Sequence, residues 1–375
     1  MSYDPEFRRA TPLALQLEHR IRRDGPISVR QYMDACLNDP VHGYYRTQRA
    51  IGQEGDFVTA PEISQAFGEL IGLWAAVVWQ QMGSPAQFNL VELGPGRGTL
   101  MADLLRATRG VPGFLGAARI ALVEPNPVLV AAQKQRLGDH AAAARWYSDL
   151  SEIRPAPTIL LANEVLDVVP VCQHLRLADG WREMGVGLDA SGRLAFQVLP
   201  EPGAPRLPDQ ITDSAPGDVF EQRDCGAVVS GLQRLAGSGP VAALFIDYGH
   251  TGPAFGDTLQ AVRSQHYEHP LTSPGEADIT AHVDFSAFGT QARAAGFVCD
   301  GPVTQAEFLG SLGIVQRASR LMAANAAKAG TIEAGVARLM APGGMGLRFK
   351  VLGVRSPGLG LLPGIPGVDK AVDAP

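Results

Sequence analysis

Residues Val91-Glu92-Leu93-Gly94-Pro95-Gly96-Arg97-Gly98 constrain this chain more than any other stretch. An apolar run, Phe88 to Leu93, ends in three glycines spaced by one residue, and an amphipathic run occupies 99–108. Alternating glycines at that spacing specify a tight turn whose backbone dihedrals side chains resist. The pattern predicts strand, turn and helix, with exposed backbone N–H groups at the helix start that suit an electron-rich ligand. Gly94, Gly96 and Gly98 are the expected cradle. Dinucleotide-binding loops place their third glycine one position later, where Thr99 stands. Glu92, two residues before the first glycine, suits the amine of S-adenosylmethionine (SAM). The bland alternative is a plain strand–helix turn.

The segments beyond the loop support a nucleotide-type fold. RIALVE (119–124), RWYS (145–148), TILLAN (158–163) and VAALFIDYG (241–249) are short apolar runs, and a helical run over 127–137 comes after the first of them. Such alternation indicates an α/β fold with a parallel sheet covered on both faces. GLRFKVLGV (346–354) reads as a late strand. Glu124 closes the second strand, where a carboxylate binds ribose hydroxyls. Asp149, just past the third strand, is placed either to contact an adenine amino group or to cap a helix. The fourth strand runs into Asn163-Glu164-Val165-Leu166-Asp167. Ligands of open α/β sheets sit at strand carboxyl ends. Asn163 is therefore assigned to the cofactor, and Glu164 and Asp167 to a methyl acceptor. Carboxylates there suit a guanidinium, gripped bidentately.

The remaining chain divides around this core. Residues 1–87 are expected to form an N-terminal helical region and loop beside the cleft: a helix over 12–24, a second opened by the capping box Ser28-x-x-Gln31, an ordered loop over 42–64, and a helix over 65–82 with Phe67, Leu70, Ile71, Trp74, Val77 and Val78 on one face. Residues 172–199 alternate and turn at Asp179-Gly180, which predicts an inserted antiparallel β meander within 172–218. The core is assigned to 88–171 and 219–355 with helical additions, including a capping box at Thr304-x-x-Glu307. Residues 251–282 are read as a long loop and 356–375 as a flexible tail.

Bulk properties exclude some classes. The net charge of −6 offers no basic excess for neutralising phosphates, so nucleic acid is not an expected partner. No run of apolar residues is long enough to cross a membrane, and no secretory leader is apparent, so membrane insertion is not expected. Cys36, Cys172, Cys225 and Cys299 form no Cys-x-x-Cys pair, which points to a reducing compartment and no zinc site. His266-Tyr-Glu-His269 lacks a third metal partner.

GDFVTAPEIS (55–64), VELGPGRGTL (91–100), NEVLDVVP (163–170), DYGH (247–250), DITAHVDF (278–285) and MGLRFKVL (345–352) occur in this order along nearly the whole chain. Together they resemble the MidA family of class I methyltransferases, which includes the mitochondrial arginine methyltransferase of complex I assembly. The resemblance implies an α/β class I (Rossmann-like) methyltransferase sheet and SAM as cofactor, held by Gly94, Gly96, Gly98 and Glu124, with Glu164 and Asp167 near the acceptor. It also implies a protein substrate, an arginine side chain, and a role in respiratory complex I assembly. Within DITAHVDF, Asp278, His282 and Asp284 are candidates to line the acceptor pocket, with His282 as a proton acceptor. Thr59, Glu62 and Ser64 are candidates to close over the cofactor, although Pro61 also suits a simple helix start. The lack of a clear presequence points to a cytoplasmic, bacterial-type member. Rival readings are a small-molecule methyltransferase, a SAM-binding assembly chaperone acting mainly through protein contacts, and a nicotinamide oxidoreductase, which the glycine spacing disfavours.

Overall fold

The structure is a computed structural model that describes residues 4, 6–47, 59–200, 203–209, 211 and 213–366. The chain forms two compact units. One, Val58–Val165 with Cys225–Thr251 and Phe285–Pro375, carries the large sheet. Its main strands are β1 (Phe88–Leu93), β2 (Ala118–Val123), β3 (Arg145–Tyr147), β4 (Thr158–Asn163), β5 (Val241–His250), β6 (Val298–Thr304) and β7 (Phe349–Arg355). They lie in the order β3-β2-β1-β4-β5-β7-β6. The first five are parallel, and β7 runs antiparallel between β5 and β6. Chain order reverses between β1 and β4, the place where open α/β sheets bind ligands. The parallel sheet expected from the apolar runs is present, in the class I methyltransferase form that the resemblance implies.

Alternate strand positions, among them Leu90, Leu122, Leu161 and Leu244, give one face of the sheet an apolar core shared with the flanking helices. Helix Gln65–Gln81 buries Phe67, Leu70, Ile71, Trp74 and Val78 against it. Val77 departs from the expected face and is 42% exposed, because it shares the outer side with Leu73, one turn earlier.

Two segments differ from the sequence reading. Strand β6 is not apparent from the residues alone, since Gly301-Pro302 reads as a turn. At the sheet edge a missing N–H breaks no ladder, and the register shift between Asp300 and Val303 accommodates the pair. The described part of the expected flexible tail is also packed. Leu359, Leu362 and Ile365 are buried, the Leu362 N–H donates to Asp300 Oδ2 at 3.0 Å, and Trp74 Nε1 donates to Pro363 O at 3.1 Å. A Cβ on Gly353 of β7 would stand 2.7 Å from Leu362, so the glycine leaves the room that the leucine fills.

The other unit comprises Met1–Phe57, Leu166–Asp224 and Gly252–Asp284. The predicted meander is there, as Val171–Leu177, Gly180–Leu188 and Leu194–Val198, and Ile27–Ser28 and Val219–Arg223 extend its sheet. Its first turn is Ala178-Asp179, one residue earlier than predicted, and Gly180 pairs with Leu177. Helices Pro12–Asp24 and Val29–Asn38, the latter with its capping box formed, pack Leu13, Leu17, Tyr32, Met33 and Leu37 against the sheet. The 251–282 loop contains a three-stranded sheet of Gln260–Arg263, His266–Glu268 and Asp278–Thr280. Its hairpin turns at Ser264 and Gln265, both left-handed with φ of 50° and 62°. That conformation usually calls for Asn-Gly, so no turn signal marks it. The units thus divide the chain elsewhere than expected. Residues 58–87 join the large sheet, and 252–284 join the insert.

Leu362→Ala is expected to lower the unfolding free energy by about 2–5 kcal/mol, the usual cost of a cavity at a leucine site. Denaturant unfolding measures it; a change under about 0.5 kcal/mol would mean that the tail is not part of the core.

Candidate functional site

The glycine loop leaves β1 with Gly94, Gly96 and Gly98 all left-handed, at φ of 64°, 53° and 81°. Any side chain there would be strained. A Cβ on Gly94 would lie 2.8 Å from Val165 Cγ2, and one on Gly98 would lie 3.1 Å from Leu137 and 3.3 Å from Gln133. These two glycines therefore also serve packing against neighbouring segments, beyond the ligand approach that spacing suggested. Just before the loop, Glu92 is 3% exposed and its Oε2 has no hydrogen-bond partner among the described residues. Burial pushes its carboxyl up to about 8, against the opposing effect of the Met101 backbone N–H.

Glu124 stands past β2 and is buried. Its Oε1 accepts from Asn126 N at 2.8 Å and its Oε2 from Gln133 Nε2 at 3.3 Å. Asn126 also caps helix Pro127–Leu137 through Val128 N. Gln133 reaches back to the loop, donating to Gly96 O at 2.7 Å, and accepts from Trp146 Nε1 at 2.7 Å. Neither Asn126 nor Gln133 stands out in the sequence as a partner of Glu124, since Asn126 reads as an ordinary helix cap and Gln133 as an ordinary helical residue. Asp149 is exposed and caps the turn Leu150–Glu152 through Ser151 N at 2.7 Å; its bonds to Ser151 hold its carboxyl below the usual range.

At the end of β4, Glu164 adopts φ 55°, a left-handed conformation rare for a residue with a Cβ. Its N–H donates to Ile246 O at 2.8 Å, and the next N–H, Val165, donates to Asp247 Oδ2 at 3.1 Å. Asp247 is buried and also accepts from Tyr248 N. The motif DYGH draws attention to this stretch, but not to Asp247 as the brace of the Glu164 turn. Glu164 Oε1 accepts from Asn163 Nδ2 at 3.0 Å and from Ala60 N at 3.3 Å. Asn163 Oδ1 is buried without a partner among the described residues.

Of GDFVTAPEIS, residues 55–58 lie outside the described residues. Thr59 stands at the start of helix Ala60–Ile63 without a side-chain capping bond, and Ser64 caps Gln65–Gln81 through Ala66 N. Glu62 accepts from the Thr99 hydroxyl. A cleft of about 390 Å³ lies beside Thr99, lined by Glu62, Asp103, Arg106, Arg136 and His140. None of Glu92, Glu124, Asn163 or Glu164 lines it.

The remaining candidates fall in the insert unit. Asp167 is buried, and its carbonyl accepts from Ala281 N at 3.1 Å and from Arg223 Nη2 at 3.2 Å. Asp278 is buried and takes the Tyr45 hydroxyl at 3.2 Å on both oxygens. Burial and the nearby carboxylates of Asp278 and Asp167 push the Tyr45 phenol well above its usual range. His282 is exposed, its backbone held by Thr258 and Arg223. Asp284 is half-buried. Among the described residues no three His, Cys, Asp or Glu side chains gather to hold a metal.

The chain matches known proteins over most of its length. Residues 70–303 match a family described as "Putative S-adenosyl-L-methionine-dependent methyltransferase". The mouse "Protein arginine methyltransferase NDUFAF7, mitochondrial" is 36% identical over 92% of this chain and 84% of its own. The Drosophila melanogaster homolog is also 36% identical, over 91% and 84%. Among solved structures, a COG1565 superfamily member from Burkholderia thailandensis, bound to S-adenosyl-homocysteine, is 29% identical with a TM-score of 0.82, covering 96% of this chain and 97% of that one. The cytoplasmic location expected from the N-terminal residues is overturned, since the curated relatives are named mitochondrial. Charge and hydropathy near a chain start do not encode a compartment by themselves. A strand–glycine loop–helix at a topological switch point, an acidic residue ending β2 and relatives along nearly the full chain agree, and the chain belongs to this family of SAM-dependent methyltransferases.

Proposed function

We propose that this chain methylates an arginine side chain of a protein, and that the modified protein is a subunit of respiratory complex I during its assembly. One observation carries the acceptor reading: Glu164 is held in a strained left-handed conformation at the carboxyl end of β4, braced by Ile246 O and Asp247. A backbone outlier of this kind costs about 1–3 kcal/mol and persists where the surroundings enforce it. A carboxylate fixed in that way grips two N–H groups of a guanidinium and leaves the other nitrogen oriented for attack. The names of the curated relatives as protein arginine methyltransferases support the same acceptor.

The residues around the loop fit the cofactor. Glu92 Oε2 and Asn163 Oδ1 are buried acceptors that lack donors among the described residues, on the neighbouring parallel strands β1 and β4. A buried acceptor without a donor is costly, and the ammonium of SAM supplies donors. In this reading Glu92 and Asn163 hold the amino-acid end, Gly94, Gly96 and Gly98 keep the loop close, Glu124 takes the ribose hydroxyls, and Asp149 lies toward the adenine. When bound, SAM supplies a methyl group on a positively charged sulfur. Asp167, a buried carboxylate, and His282, read as a proton acceptor, are the candidates that the family resemblance adds for the acceptor.

Two outcomes test these assignments. Glu164→Gln is expected to keep S-adenosylhomocysteine affinity within about threefold in calorimetry while methylarginine formation falls at least about a hundredfold by mass spectrometry; unimpaired transfer would remove Glu164 from the chemistry. The second concerns Glu92. A carboxyl with an ordinary value of 4.5 that the fold raises to about 8 binds more protons folded than unfolded between those values. Its contribution to stability is fully present below pH 4.5 and is lost as pH rises through about 8. Ligand-free protein should lose stability across that window, and Glu92→Gln should flatten the decline. Identical pH profiles for the two proteins would show that Glu92 is not held protonated.

A further inference from the structure

We infer that Gln133 is a positioning residue that sets the glycine loop and the Glu124 carboxylate as one unit for the ribose of the cofactor. This rests on the assignment of Glu124 to the ribose. Gln133 lies on helix Pro127–Leu137 and is fully buried. Its polar atoms are all engaged. Nε2 donates to Gly96 O at 2.7 Å and to Glu124 Oε2 at 3.3 Å, while Oε1 accepts from the Trp146 indole at 2.7 Å.

These partners leave the amide one orientation. An indole only donates and a carbonyl only accepts, so Oε1 must face Trp146 and Nε2 must face the loop. The two hydrogens of one nitrogen thus tie the middle of the glycine turn to the carboxylate at the end of the neighbouring strand. Asn126 N holds the other carboxylate oxygen at 2.8 Å. With a donor on each oxygen, the carboxylate plane is set before any ligand arrives, and two vicinal hydroxyls need a fixed plane to donate into it. The helix itself is pressed against the turn, since a Cβ on Gly98 would stand 3.3 Å from Gln133 Cα. Rotation of Gln133 would therefore disturb Gly96 and Glu124 together. A plain core glutamine would join two packed elements. This one joins the two groups that the cofactor must meet at once, and a preorganised site loses less on binding.

The test uses the full chain and two probes, S-adenosylhomocysteine and its 2′-deoxyribose analogue, titrated by calorimetry. Wild type should favour the ribose form about tenfold or more. Gln133→Met, which keeps length and removes every hydrogen bond, should weaken S-adenosylhomocysteine about tenfold and bring the two probes within about threefold of each other. Weakened binding with the preference intact would make Gln133 merely structural and overturn the inference. So would unchanged affinity in Gln133→Met when Glu124→Ala has lost it. Unchanged affinity in Glu124→Ala would instead remove the ribose assignment itself. Should Gln133→Met fail to fold, Trp146→Phe decides: it removes the indole donor that orients the amide, with some loss of ring volume, and leaves Gln133 in place. A reduced ribose preference in that variant supports the inference, and a preference equal to wild type overturns it.

Discussion

A carboxyl group buried without a full set of donors dominates the physics of this site. Glu92 sits at the end of a strand whose other residues fill the core, between β2 and β4. Such a group is tolerated only where the fold around it is closed and stable by other means. The large sheet supplies that stability through its apolar strands and the helices packed against them. In the proposed reading the cost at Glu92 is the counterpart of cofactor affinity, because an acceptor that water does not satisfy is answered by a ligand's donors. Asn163 repeats the arrangement on the next strand, so the switch point between β1 and β4 holds two such acceptors.

Around these acceptors the structure is braced rather than flexible. Asp247 accepts from Val165 N and from its own neighbour Tyr248, which fixes the turn that carries Glu164. Gln133 and Asn126 do the same for the loop and Glu124. Every one of these braces is a polar group satisfied by backbone or by another buried side chain, and low local dielectric strengthens each bond. In the proposed reading, the groups assigned to the ligand are thereby positioned by residues that are not. The insert unit has its own hydrophobic cluster and its own braced centre, where Arg223 collects the carbonyls of Val169, Asp167, Ala281 and His282.

Much of this was legible in the residues, and unevenly so. The five parallel strands, both capping boxes and the meander announce themselves through apolar periodicity and turn chemistry, which act within a few residues. Strand β6 does not, because Gly301-Pro302 carries a local turn signal that the sheet edge overrides. The hairpin at Ser264-Gln265 does not, because neither residue belongs to the usual left-handed set. The tail reads as loose by composition, yet Leu359, Leu362 and Ile365 are buried where Gly353 leaves room. Periodicity cannot register a contact made across the fold.

The sequence by itself determined the type of site. The glycine spacing, Glu92 and Glu124 are local features, and local backbone chemistry is enough to specify a strand–loop–helix that meets an adenosine ligand. The tertiary structure alone decided which polar groups support that site. Gln133, Asp247 and the strain at Glu164 have no local signature, because each depends on hydrogen bonds to residues distant in the chain. It also decided the partition of the chain, placing 58–87 with the large sheet and 252–284 with the insert. Burial and packing, which settle membership in a core, are properties of the whole fold.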